Sequence, residues 1–283
     1  MVKRALSASV VGLVASCFAT AALSQGLPKN EEVRATGKFK ISNSLAYAPF
    51  EYVDEAGKPV GLDIELADAV AHALGAELEI VRMPFASQIP SLASERTKVA
   101  WATFSVTPER LKQVDFITFL SAATVFVVPA ENASKFKSKD DLCGTSIAVQ
   151  TGSAADFAAD KLNEDCKSSG RAEIKKSIYP EQKDAIQAVL TERVVGRLDD
   201  STAAGYYASE SNGKMVVVPG SYFPTPLGVA VAKGDSASAE MMRAVLQKVM
   251  DDGTYEKIID KFNMATSAVS KSEIITSADQ LPK

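Results

Sequence analysis

The chain is expected to be an α/β protein, and three observations carry that expectation. Helical and strand periodicities alternate along it instead of falling into separate blocks, which implies parallel strands joined by crossover helices. The clearest helix, 61–74, places Leu62, Leu66, Ala69, Val70, Ala73 and Leu74 at helical spacing, and Gly75 stops it. Directly after it Glu77-Leu78-Glu79-Ile80-Val81 alternates as a strand should, and the same succession restarts after residue 145. No repeat of solenoid period appears.

Taken in order, Phe39-Lys40-Ile41 opens a strand, and 43–52 is a loop carrying Tyr47, Pro49 and Phe50. His72, on the first long helix, reads as a surface residue. Ile89 to Leu92 suggests a short helix and Val99 to Phe104 a strand. Next comes Ser105-Val106-Thr107-Pro108-Glu109-Arg110, a strand end turning into a helix with Thr107 as N-cap and Pro108 at the first helical position. Arg110 then stands where the helix dipole disfavours a cation. With Thr103 and Ser105 on alternating strand positions, it can form a socket for a carboxylate. An exposed arginine on a surface helix is the plain alternative.

Thr124 to Val128 is a β-branched run ending at Pro129, and the polar stretch 131–142 is a candidate crossing between lobes. Thr145 to Val149 is a strand, and Gln150-Thr151-Gly152-Ser153 turns into the helix 154–162. Ser153 caps that helix, and the same free N–H groups can also meet a ligand carboxylate. Pro180 to Thr191 reads as a helix and Arg193 to Leu198 as a strand ending in Asp199-Asp200. By period two Asp200 faces inward with Leu198 and Arg197 faces away. A carboxylate at such a strand end sits where α/β lobes bind ligands, with helix capping as the alternative. Val216 to Pro219 and Gly228 to Ala232 are short strands, and 237–250 and 255–262 are helices. The polar remainder, 265–283, is expected to be a loosely held tail.

With 283 residues, 46% hydrophobic and 23% charged, the chain can bury one large core or two. A net charge of −4 argues against nucleic acid as a partner. One His and three Cys without metal-ligand spacing suggest no metal, and no cofactor is expected. Residues 1–24 read as an export signal, with Lys3-Arg4 before an apolar run and cleavage before Gln25. Cys17 closes a passable lipoprotein box, the competing reading. Export leaves Cys143 and Cys166 as the remaining pair in an oxidising compartment, where a disulfide is expected and two free thiols are the alternative.

Several segments together resemble the family 3 extracellular solute-binding proteins of amino-acid ABC transporters. They are Gly61-Leu62-Asp63-Ile64-Glu65-Leu66, Tyr47-Ala48-Pro49-Phe50-Glu51, Ile89-Pro90-Ser91-Leu92, Ser105 to Arg110 with Val114-Asp115-Phe116, Gln150-Thr151-Gly152-Ser153 and Leu198-Asp199-Asp200-Ser201. They run in family order over about residues 37–264. The resemblance implies a two-lobed periplasmic-binding-protein fold of type II, each lobe a mixed sheet flanked by helices, with two hinge strands. Lobe 1 would be 37–126 plus 229–264, and lobe 2 131–224. It implies a non-enzymatic periplasmic protein, expected to be a monomer, that delivers a small amino acid to an ABC permease in the inner membrane. Arg110 would bind the α-carboxylate and Asp200 the α-ammonium. Thr103, Ser105 and Ser153 would add hydrogen bonds, while Tyr47 and Phe85, with Ser44 nearby, would meet the side chain.

The chain departs from the pattern in four places. Lys98 and Val195 stand where the family usually has Asp, Thr103 where Gly or Ser is common, and Arg197 at a normally apolar position. Ser44 stands where relatives that hold a basic side chain often have an acid, so basic ligands are disfavoured and a neutral, partly apolar amino acid is expected. If a bulge turned Arg197 inward, a dicarboxylic amino acid or an opine-like conjugate would fit instead. An enzyme of the cyclohexadienyl-dehydratase kind is the alternative on the same scaffold; it needs a positioned acid or base.

Overall fold

The computed structural model describes residues 26–281; the export-signal and Cys17 readings lie outside the described residues. The first half of the chain contributes α1 (Glu31–Thr36), β1 (Lys38–Asn43), β2 (Tyr52–Val53), β3 (Pro59–Val60), α2 (Leu62–Leu74), β4 (Glu77–Arg82), α3 (Phe85–Ala93), β5 (Val99–Ser105), α4 (Pro108–Leu111) and β6 (Val114–Pro129). Then follow β7 (Ser146–Gln150), α5 (Ala154–Ser168), β8 (Lys175–Tyr179), α6 (Gln182–Leu190), β9 (Gly196–Asp200), α7 (Ser201–Glu210) and β10 (Met215–Val217). The chain finishes with β11 (Tyr222–Ala232), α8 (Ser236–Asp251), α9 (Thr254–Lys261) and β12 (Ile274–Ile275).

The main sheet runs β4-β1-β5-β11-β6-β9-β7-β8. Its two ends are parallel, β4-β1-β5 and β9-β7-β8, and its centre is antiparallel. The 16-residue β6 explains this mixture. Its first half pairs with β11 from Val114 opposite Ala232 to Leu120 opposite Leu227. Its second half pairs with β9 from Thr124 to Val127. Two long strands, β6 and β11, thus tie two α/β lobes together. Each lobe has its own buried core: Phe39, Trp101, Phe119 and Leu246 in one, Phe126, Ile147, Leu162 and Leu198 in the other.

Gly61 is required at the start of α2. Its φ of 122° is open to glycine, and a Cβ there would lie 2.2 Å from the Phe50 carbonyl oxygen. That contact presses the Tyr47–Glu51 loop against the helix. The disulfide Cys143–Cys166 is present, closing a 23-residue separation between the turn before β7 and the end of α5.

One expectation is corrected. The segment after Met264 is docked, because Ile274-Ile275 adds a strand to β6 opposite Ile117 and Phe116. Ser272, 1% exposed, donates to the Thr118 carbonyl, and Glu273 N–H donates to Thr118 Oγ1. This covers an edge of β6 that would otherwise present unpaired backbone groups. The helix α1 also went unforeseen; Asn30 caps it and only Val33 within it is buried.

Candidate functional site

Arg110 is placed by local rules. Thr107 caps α4 by accepting from Arg110 N–H at 3.3 Å, with Pro108 behind it. The short helix swings the side chain inward until only 5% of it is exposed. Its Nη1 donates to the Ser105 carbonyl at 2.7 Å, and its guanidinium carbon lies 5.3 Å from the Phe104 ring and 5.5 Å from Phe85. Loss of water lowers its pKa to about 10, a fall that Asp200 and Glu109 oppose. It is still a cation at neutral pH. Its Nη2 crosses to the other lobe and donates to the Gly152 carbonyl at 2.8 Å.

Asp200 answers from the far side. Its Oδ1 accepts from Ser105 Oγ at 3.3 Å and its Oδ2 from the Tyr47 hydroxyl at 3.3 Å, both residues of the first lobe. Burial, then the neighbouring Asp199, raise its pKa to about 7, against the pull of Arg110. A cation and an anion therefore face one cleft, one on each lobe. The cleft holds about 480 Å³ of atom-free space, its open mouth included. Tyr47, Phe85, Ser44, Thr103, Ser105, Arg110, Ser153 and Asp200 all line it. In this respect the residues expected from the sequence are brought together.

Thr103 and Ser44 are engaged otherwise than expected, while Ser153 caps its helix as the sequence indicates. Thr103 does not alternate with Ser105: its φ is 48°, and its Oγ1 donates to Asp63 Oδ2 at 2.6 Å. A β-branched residue rarely adopts that backbone, and the Asp63 carboxylate is what holds it there. Ser153 Oγ accepts from Asp156 N–H as the cap of α5. Ser44 Oγ points at Glu51 Oε1 at 3.4 Å, behind the cleft wall.

Sequence reasoning missed Asp199 and Gln182. Asp199 Oδ1 accepts from the Tyr47 hydroxyl and from Asp200 N–H, both at 2.9 Å. Alternation pointed it away, but β9 ends there and the carboxylate folds back over the next amide. Gln182, 5% exposed at the start of α6, lines the cleft with Nε2 lacking a partner among the described residues. No signal beyond a polar residue at a helix start marked it. Of the departures, Lys98 pairs with Glu95 at 3.3 Å and Val195 packs on the second lobe's core. Arg197 is fully buried against Asp199.

The bacterial extracellular solute-binding proteins, family 3, match residues 39–265. Among curated relatives, a putative ABC transporter arginine-binding protein 2 of Escherichia coli K12 is 30% identical, over 81% of this chain and 91% of its own. An ancestral amino-acid-binding protein, a precursor of cyclohexadienyl dehydratase, superposes with a TM-score of 0.74 at 31% identity, covering 82% of this chain and 97% of that one. An ancestral arginine-binding protein bound to arginine gives 0.72 at 34% identity, covering 80% and 98%. The chain belongs to the bacterial extracellular solute-binding proteins of family 3.

Proposed function

We propose that the protein captures a free amino acid between its lobes in the periplasm and delivers it to an ABC permease, without chemical change. The observation that carries this reading is the placement of Arg110 and Asp200 on opposite lobes of one cleft. A zwitterion satisfies both, and neither lobe alone can, so ligand favours the closed arrangement. Lobe 1 is read as 37–126 with 229–264, and lobe 2 as 131–224.

In this reading the ligand α-carboxylate lies between Arg110 and the amides around Ser153 at the start of α5. The α-ammonium takes the place on Asp200 now shared by Tyr47 and Ser105. Thr103 acts through its backbone, since its hydroxyl is committed to Asp63. Tyr47 and Phe85 wall the side chain, as apolar surfaces with one polar handle. The Asp200 carboxylate is engaged by two hydroxyls.

A thermal-shift screen of the twenty amino acids tests the function. Ligand at a hundred times its dissociation constant stabilises by about 2.7 kcal/mol. At least one amino acid should raise the melting temperature by several degrees and be recovered unaltered. No shift from any of them, or conversion of the ligand, would overturn the reading.

A further inference from the structure

Asp199, the cleft's second carboxylate, comes with its own cation. Arg197 lies two residues earlier on β9, at 0% exposure, with Nη1 2.5 Å from Asp199 Oδ2. Its guanidinium carbon lies 5.3 Å from the Tyr207 ring of α7. None of its three nitrogens has an aligned hydrogen bond among the described residues, so charge and the ring alone hold it. The other Asp199 oxygen turns to the cleft and to Tyr47. A guanidinium resting on a carboxylate beside a tyrosine is how the head of a basic ligand could be bound, and here the chain supplies it from behind.

We propose that Arg197 is a resident counter-ion that takes the electrostatic place of a basic ligand side chain, so that the cleft selects amino acids with uncharged side chains. This rests on the reading of the cleft as an amino-acid site. The charges of the cleft and of the wall behind it balance: Arg110 in the cleft and Arg197 behind it, against Asp199 and Asp200. A zwitterion with a neutral side chain preserves that balance. A basic side chain would be buried with no anion of its own, because Asp200 is taken by the α-ammonium and Asp199 by Arg197. An acidic side chain finds no free cation for the same reason. Specificity here comes from a charge already filled, which excludes competitors by what they leave unpaired.

Calorimetry at pH 7.5 with the purified protein and Gln, Leu, Arg, Lys and Glu tests it. Wild type should bind a neutral amino acid at least roughly tenfold more tightly than Arg or Lys. Arg197→Met unmasks Asp199, so Arg or Lys should gain at least roughly tenfold relative to the best neutral ligand. The double variant Arg197→Met, Asp199→Asn should return the preference to neutral side chains. Should Arg197→Met not fold, Asp199→Asn is read instead: with Arg197 unopposed, Glu must gain on the neutral ligands. Wild type preferring Arg or Lys, or a folded single variant with unchanged selectivity, overturns the counter-ion role while leaving the amino-acid site standing. Absence of any amino-acid binding by wild type removes both.

Discussion

Two pairs of carboxyl groups are buried in this protein, and they are handled in opposite ways. Glu51 and Asp63, both at 0% exposure behind the cleft wall, have no ion-pair partner among the described residues. Thr103 serves one Asp63 oxygen and Ser44 one of Glu51, and each carboxyl keeps one oxygen without a donor. A shared proton satisfies that pattern. Burial raises Asp63 to about 6 and, with the Asp63 charge, lifts Glu51 well above the usual carboxylate range. Asp199 and Asp200 are instead met by guanidinium groups, Arg197 in contact and Arg110 across the cleft. A shared proton reduces the first pair to a single charge, sealed behind the wall, and the pair can do no more than hold Thr103. The second is met by cations, and its Asp200 carboxyl faces the cleft where a ligand can reach it.

Removing the cation across the cleft should break that contrast most severely. Arg110→Ala leaves a bound carboxylate unpaired in a desolvated site, a loss of several kcal/mol against about 8 kcal/mol for a micromolar ligand. Calorimetry should find an affinity loss on the order of a thousandfold with the circular dichroism spectrum unchanged. An affinity within threefold of wild type would contradict the assignment.

The disulfide separates what holds the fold from what holds the ligand. Cys143→Ala with Cys166→Ala should lower stability by about 3 kcal/mol. Chemical denaturation should register that loss while ligand selectivity stays the same. An undiminished denaturation midpoint would mean the bridge stabilises nothing.

Protonation sharpens the comparison further. Burial and the neighbouring Asp199 raise the Asp200 carboxyl to about 7, and an ammonium group needs its carboxylate form. Affinity should therefore fall roughly tenfold per pH unit below 7, with protons released on binding at pH 7. Titrations in two buffers of different ionisation enthalpy would detect the release; identical heats would count against it. Asp63 acts on stability with the opposite requirement. Its raised pKa makes a stabilising contribution that is complete below 3.8 and lost as pH rises through about 6. Glu51→Gln keeps the neutral partner, so the variant's melting temperature should fall less between pH 5 and 8 than wild type's. A steeper fall would mean that the pair does not share a proton.

Much of this was legible in the residues, and the failures have physical causes. Thr107-Pro108 fixed the start of α4 and Gly61 the start of α2, because caps and positive φ are local requirements. Cys143 and Cys166 were the pair left by the expected export, and the structure joins them. The period-two rule failed at both ends of the cleft. Thr103 leaves the strand conformation for a bond to Asp63, and Asp199 stands where β9 gives way to α7. The docked C-terminal segment was hidden because two isoleucines in a polar stretch carry no periodicity. Gln182 could not be foreseen, since its role depends on how two distant elements meet.

The central claim is that both charges of a zwitterion are required, one for each lobe. Calorimetry comparing the best amino-acid ligand with its α-carboxamide and its N-acetyl derivative tests this most directly. Each change removes one charge and leaves the side chain alone. The account predicts a loss of roughly a hundredfold or more for each derivative. Binding of either derivative within a few-fold of the parent would contradict it.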